Sequence, residues 1–243
     1  MSGDLLTSRP EGGVALRAPL LPAALVPAYR CSGTVGEVVR GLRAHVGEIL
    51  VVDDGSRDGT AEQARAAGAR VLERPANGGK GLALRDGLAD LLARRFTHVA
   101  FVDADGQHAP DDLPALLAAA RAGADFVIGS RLKDAAAMPA KNYWANTIGD
   151  KVLSRMTGLP VEDGQSGYRV IAAKLLRTLR LRAERYSIEN GILIKAAPRV
   201  ERFATVPVKT IYGPARSHYR PFRDTWVTSW LSVYYKTLDS DAS

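Results

Sequence analysis

The sequence predicts an α/β fold: a mostly parallel central sheet with helices on both faces, followed by a C-terminal amphipathic helix. Three observations predict it. Short apolar runs alternate with amphipathic helical patterns over about 110 residues, as strand–helix–strand units with doubly covered strands do. Two of these runs end in acidic clusters, Asp53-Asp54 and Asp103-Ala104-Asp105, at the strand ends where open parallel sheets receive ligands. The composition is globular, with 243 residues, 46% hydrophobic, 24% charged and 7% aromatic, which is enough for one large domain with a buried core.

Element by element, residues 1–18 mix Gly, Pro, Ser and charge without period and read as a flexible leader. Leu25-Val26 running into Pro27 is the first strand, and residues 36–45 form a helix with Val38, Val39 and Leu42 inward. Residues 48–52 are an apolar strand stopped by Asp53-Asp54-Gly55. Residues 60–67 are helical, 70–72 a short strand, and 80–95 a long Ala/Leu-rich helix. Residues 98–102 form a strand that ends at Asp103. Residues 110–122 form a helix with Asp111 and Asp112 in its first turn, which suits the helix dipole. Residues 125–129 are again a strand. Beyond it the pattern loosens. Residues 143–156 read as a helix with Trp144, Ile148, Val152 and Leu153 on one side, 187–197 as another helix, and 206–212 as a strand. Residues 225–236 carry Trp226, Val227, Trp230, Leu231, Val233 and Tyr234. That aromatic stripe suits packing on the core, a homodimer contact, or a membrane interface.

The net charge of +7 is unevenly placed. Residues 1–130 hold 14 Lys and Arg against 16 Asp and Glu, whereas residues 131–236 hold 19 against 8. A basic half implies an anionic partner. A nucleic-acid-binding module is a less favoured rival, because aromatic residues are not interleaved with the basic ones in any RNA-binding pattern. The single cysteine, Cys31, excludes an intrachain disulfide framework and a cysteine-rich zinc module, and suits a reducing compartment. No window approaches the roughly 20 apolar residues of a membrane span, and no export signal is visible. The expectation is a cytoplasmic protein, with a peripheral place on the cytoplasmic face of a membrane compatible with its charge.

Three motifs carry chemistry. In FVDADGQH, Asp103 and Asp105 are two carboxylates one residue apart at a strand end, able to reach one hard cation together, with Gln107 adding an amide oxygen. Mg²⁺ or Mn²⁺ takes such oxygen ligands and shares them with substrate phosphates. A calcium EF-hand fails, because Gly106 falls at loop position 4 and Pro114 at position 12. In VVDDGSRDGT a carboxylate at the strand end can accept from a base N–H or from ribose hydroxyls. In NGGKGLALRDGL, Lys80 follows a glycine-rich turn that lacks the spacing of a P-loop or a dinucleotide fingerprint.

Taken together with Pro27-Ala28-Tyr29, with VIGSR and with DGQSGYR at residues 163–169, these blocks occur in the order found in family 2 glycosyltransferases. The sequence resembles, in particular, the branch of dolichyl- and polyprenyl-phosphate sugar synthases over residues 20–220. The resemblance implies a GT-A fold over residues 19–216, with a nucleotide-binding half at about 19–131, an acceptor half at about 132–216 and a helical tail at 217–243. It implies that Pro27 and Tyr29 border the nucleotide base and that Asp54, beside Asp53, contacts it. Asp103, Ala104, Asp105 and Gln107 form the metal and diphosphate motif, assisted by Lys80. It places Arg131 near the transferred phosphate, Lys141, Gln165 and Ser166 toward the acceptor, and Asp163 and Glu189 as catalytic carboxylates. Arg216 belongs to a late basic segment closing over the diphosphate, although His218 stands where lysine is usual. The first block continues Arg30-Cys31 where Asn-Glu is usual.

The implied reaction moves a sugar from a UDP- or GDP-linked donor to an acceptor, with inversion and with metal stabilising the leaving diphosphate. A lipid phosphate acceptor is already anionic and needs no strong base. A hydroxyl acceptor would need Asp163 or Glu189. A nucleotidyltransferase is disfavoured, because Pro27-Ala28-Tyr29-Arg30 is not a glycine-rich basic loop after the first strand.

Overall fold

The computed structural model describes residues 19–132, 140–180, 188–209 and 211. The leader and the terminal aromatic helix expected from the sequence lie outside them. Seven strands form one sheet: β1 Pro22–Ala28, β2 Glu48–Asp53, β3 Arg70–Glu73, β4 His98–Phe101, β5 Phe126–Ser130, β6 Arg169–Ala172 and β7 Phe203–Pro207. The helices are α1 Val35–Leu42, α2 Thr60–Ala66, α3 Lys80–Leu92, α4 Leu113–Arg121, α5 Ala140–Thr157, α6 Ala173–Leu176 and α7 Ile188–Ala196.

The strand order is β3-β2-β1-β4-β6-β5-β7, parallel throughout except for β6, which runs antiparallel to β4 and β5. The first three strands wind outward from β1, and β4 then pairs with the other edge of β1. That reversal opens a crevice at the C-terminal ends of β1 and β4, where such sheets bind ligands. Successive side chains of a strand point to opposite faces, and both faces are covered. Ala24, Val26, Ile49 and Val51 pack with Val38, Val39 and Leu42 of α1 and Leu113, Leu116 and Leu117 of α4. Ala23, Leu25, Leu50 and Val52 pack with Leu84, Leu88 and Leu91 of α3 and with Ile192 and Leu193 of α7.

One strand, β6, goes beyond the sequence expectations, and two expectations are corrected. β6 carries too few residues to show a period, and an arginine opens it. Its partners on both sides bury it as a core strand. β7 occupies Phe203–Pro207 and starts earlier than residue 206, because Phe203 pairs opposite Phe126 with ring centroids 5.9 Å apart. In α5, Ile148 is 61% exposed, whereas Asn146, Asp150 and Leu153 are buried. The inward face of α5 is therefore partly polar, and reading its apolar residues rotates it wrongly.

The polar inward face has a purpose. Asp150 Oδ2 and Oδ1 accept the backbone N–H groups of Asp163 and Gly164, each at 2.8 Å. Burial pushes the Asp150 carboxyl up to about 6, against the pull of those two N–H groups and with the help of the Asp163 and Glu162 charges. The folded state holds this proton more tightly than the unfolded chain. Its stabilising contribution is therefore complete below about pH 4 and is lost as pH rises through about 6.

Two outcomes are expected. Gly87→Ala destabilises the protein by about 1–3 kcal/mol in denaturant unfolding, because a Cβ there would lie 2.4 Å from Leu25 Cδ1 and 2.7 Å from Val52 Cγ2. That overcrowding outweighs the roughly 1 kcal/mol of helix propensity gained. Asp150→Asn gains stability relative to the wild type as pH rises from 4 to 7, by on the order of 3 kcal/mol. A pH-independent difference between the two unfolding curves would refute the assignment.

Candidate active site

At the end of β2 the backbone N–H of Asp54 donates to Ala28 O at 2.8 Å, which ties the two strand ends together. The Asp54 carboxylate accepts from Gly78 N at 3.0 Å and Gly79 N at 2.7 Å and pairs with the Arg74 guanidinium, and the residue is 2% exposed. Asp53 is equally buried, with Oδ1 accepting from Ser56 N at 3.0 Å. These are the acids that the resemblance implies at the nucleotide base, and here their carboxylates are engaged by loop N–H groups and, for Asp54, by Arg74. Both are spent on the loops, and Asp54 anchors the Gly78-Gly79 turn from which α3 starts. Gly55 makes this possible, with φ +74° and a would-be Cβ 2.7 Å from the carbonyl carbon of Ala76.

The turn delivers Lys80, the first residue of α3, into the crevice. Its Nζ lies 2.6 Å from Asp103 Oδ1 and 2.5 Å from Glu189 Oε1. Asp103 also has His108 Nε2 at 3.6 Å from Oδ2. Burial alone would raise the Asp103 carboxyl, but the Lys80 charge and the His108 imidazole outweigh it and hold it far below the usual carboxylate range. For Lys80, burial is likewise outweighed by Asp103 and Glu189, and the ammonium is held above its ordinary value. Gly167 presses against this group, since a Cβ there would lie 2.4 Å from Asp103 Oδ2.

Asp105 is half-buried, and its Oδ1 accepts from Gln107 N at 2.9 Å around Gly106, whose φ is +77°. Ala104 is buried, its carbonyl taking the Thr34 hydroxyl at 2.6 Å. Gln107 O accepts from Ile211 N at 3.0 Å. Among the described residues no group of three or more His, Cys, Asp or Glu side chains is set to cage a metal. On the other side of the crevice Tyr29 is 40% exposed at the end of β1, with Arg30 stacked at 5.2 Å from its ring centroid. Pro27 lines a void of about 10 Å³ with Lys80, Asp103, Gly167, Arg169 and Glu189, space for one water at most.

The acceptor-side residues form a second charged group. Arg131, just past β5, donates through Nε to Asp163 Oδ2 at 2.7 Å and through Nη2 to Oδ1 at 2.7 Å, and its backbone N–H reaches the same carboxylate at 2.9 Å. Asp163 is fully buried. It is the base the resemblance implies for a hydroxyl acceptor, and here both of its oxygens accept from Arg131. Ser166, implied on the acceptor side, is also fully buried, its hydroxyl accepting from Tyr168 N at 3.2 Å. Gln165 is partly buried beside α5. Glu189 reaches the site through Lys80. Lys141 is placed only by the backbone of α5, and Arg216 lies outside the described residues.

Sequence reasoning missed Arg169. It is 1% exposed and donates to Ser166 O at 2.8 Å, Glu189 O at 2.5 Å and Gly164 O at 2.6 Å. Burial lowers its guanidinium to about 10, although the Glu189, Asp163 and Asp103 charges favour the cation. The available signal was an arginine inside the apolar run YRVIAA; a charge so placed must be paired or hydrogen-bonded.

Comparison with known proteins gives the family. Residues 23–180 match the family described as glycosyl transferase family 2. An undecaprenyl-phosphate mannosyltransferase from Micrococcus luteus is 34% identical over 197 residues, 76% of this chain and 81% of that protein. A UDP-N-acetylglucosamine–dolichyl-phosphate N-acetylglucosaminyltransferase from Methanococcus voltae is 30% identical, over 88% of this chain and 93% of that one. The glucosyl-3-phosphoglycerate synthase of Mycobacterium tuberculosis, solved with Mn²⁺, uridine-diphosphate-glucose and phosphoglyceric acid, superposes with a TM-score of 0.64 at 26% identity, over 89% and 78% of the two chains. With the strand-end carboxylates, the GT-A architecture and these relatives in agreement, the chain belongs to glycosyl transferase family 2 and is a glycosyltransferase of the branch that includes the dolichyl- and polyprenyl-phosphate sugar synthases.

Proposed function

We propose that the protein transfers a sugar from a UDP- or GDP-linked donor to a polyprenyl phosphate, in one displacement that inverts the anomeric carbon. The observation that carries this reading is the state of the two candidate bases. Asp163 is sealed on Arg131, and Glu189 is paired with Lys80. A hydroxyl acceptor needs its proton removed, whereas a phosphate monoester is already anionic. The relatives named for undecaprenyl and dolichyl phosphate support the same acceptor class.

In this reading Tyr29 offers its exposed ring to the base, and Lys80 faces the diphosphate. Arg131 meets the acceptor phosphate. A divalent ion fits the oxygen donors at the end of β4: Asp105 at the half-exposed position, the Asp103 carboxylate held ionised beside it, and the Gln107 amide. The lack of a closed cage among the described residues suits Mg²⁺ or Mn²⁺ shared with donor phosphates. When bound, the ion supplies charge for the leaving nucleoside diphosphate. The phosphate oxygen forms the new bond to the anomeric carbon as the bond to the diphosphate oxygen breaks, and no proton needs to move. A second reading has one observation in its favour. The phosphoglycerate synthase shares the fold, so a soluble phosphorylated hydroxyl acceptor is its counterpart here.

No helix among the described residues is long and apolar enough to cross a membrane. The excess of Lys and Arg in residues 131–236 supports a peripheral site on an anionic surface, where each basic residue contributes about 1 kcal/mol.

Three measurements test this. A thermal-shift panel of UDP- and GDP-sugars with Mg²⁺ or Mn²⁺ identifies the donor, and transfer is then measured to undecaprenyl phosphate and to 3-phosphoglycerate. Transfer to the latter alone would replace the first reading with the second. Asp105→Ala lowers the transfer rate by about 10²-fold or more with an unchanged melting temperature, and wild-type turnover would remove Asp105 from the metal site. Flotation shows the protein on vesicles containing anionic phospholipid and not on neutral ones; no flotation in either case would remove the membrane from the proposal.

A further inference from the structure

We propose that Asp150 is a positioning residue for the acceptor end of the site, acting on Arg131 through Asp163. The proposal rests on the reading of Arg131 as the contact to the acceptor phosphate. The two-pronged grip of Asp163 on the Arg131 guanidinium, at 2.7 Å on both arms, sets where that cation points. Asp163 belongs to neither strand nor helix. It sits in the turn between α5 and β6 with φ +54°, a left-handed conformation uncommon for a residue bearing a Cβ. Such a backbone persists only where its surroundings over-determine it.

Asp150 is a large part of those surroundings. Its carboxylate reaches from α5 and gives one oxygen to the N–H of Asp163 and the other to the N–H of Gly164, both at 2.8 Å. The Ser166 N–H to Asp163 O bond at 2.9 Å closes the turn from the far side, and Arg169 holds Gly164 O at 2.6 Å. The turn lies directly on α5. A Cβ on Gly164 would be 2.5 Å from Leu153 Cδ1 and 3.3 Å from Asp150 Oδ1.

Asp150 is 7% exposed, and both of its carboxylate oxygens are taken up by the turn. A carboxylate is required because both of its oxygens accept. An asparagine has one accepting oxygen and must turn its NH₂ toward one of the two N–H donors. The turn would then shift, and Asp163 and the guanidinium with it. A polar residue on the inward face of a helix is costly as packing alone. Its position behind the Arg131–Asp163 pair accounts for that cost.

The test compares Arg131→Gln, Asp150→Asn and the double variant, with undecaprenyl phosphate in detergent micelles as acceptor and the donor identified by the thermal-shift panel. Arg131→Gln raises the acceptor KM about tenfold or more with the donor KM unchanged. Asp150→Asn raises the acceptor KM about three- to tenfold, also without changing the donor KM. The double variant is no worse than Arg131→Gln alone, because the two side chains act in series. A role in stability alone moves the melting temperature and leaves both KM values unchanged. Impairment by Arg131→Gln beside a normal acceptor KM in Asp150→Asn would overturn the Asp150 proposal only, as would additive losses in the double variant. Wild-type kinetics in Arg131→Gln would overturn the reading of Arg131 and this proposal together. If Asp150→Asn does not fold, Gly164→Ala pushes the same turn off α5. It should show the same selective rise in acceptor KM, and a normal value there would also overturn the proposal.

Discussion

Lys80 joins three elements through one ammonium group. From the first turn of α3 it reaches Asp103 at the end of β4 and Glu189 on α7. Without that cation the like charges of two carboxylates would face each other across a half-buried crevice. The position of Lys80 is itself prepared upstream. Asp54 grips the Gly78-Gly79 turn, and the turn aims the start of α3 at the mouth of β4. The grip on the turn, the aimed ammonium and the ionised Asp103 form one continuous electrostatic arrangement, running from the β2 end to the α7 face.

The remaining cations are handled differently. Arg131 has a carboxylate of its own, Asp163, which is fully buried and would be left without its cation if the arginine were removed. Among the described residues Arg169 has no carboxylate at hydrogen-bond distance, and it donates to the carbonyls of Gly164, Ser166 and Glu189. It thereby ties the loop ahead of β6 to α7. Groups fixed in this way need little rearrangement when charge develops on a leaving diphosphate, which is how preorganised sites lower barriers.

The fold was largely legible because its signals are local. The runs ending at Asp53 and Asp103 and the helices over residues 36–45 and 80–95 each show their own periodicity, and the motif order pointed to the family. The misses share one cause. β6 is a strand because β4 and β5 bury it, α5 turns polar residues inward because a distant turn needs two acceptors, and β7 starts where Phe203 meets Phe126. No local pattern records those partners.

The chain alone was enough for the class of fold, the strand ends that carry acid, and the basic character of residues 131–236, since these follow from side-chain period and charge count. Folding decided the duties of the individual acids. Asp54 became a loop anchor, Asp163 a clamp on Arg131, and Asp103 a partner of Lys80, while Asp105 kept a half-exposed carboxylate at the mouth. A carboxylate at a strand end can meet a ligand, a metal, an arginine or a backbone N–H. The choice belongs to whichever donor the tertiary structure brings within about 3 Å of it.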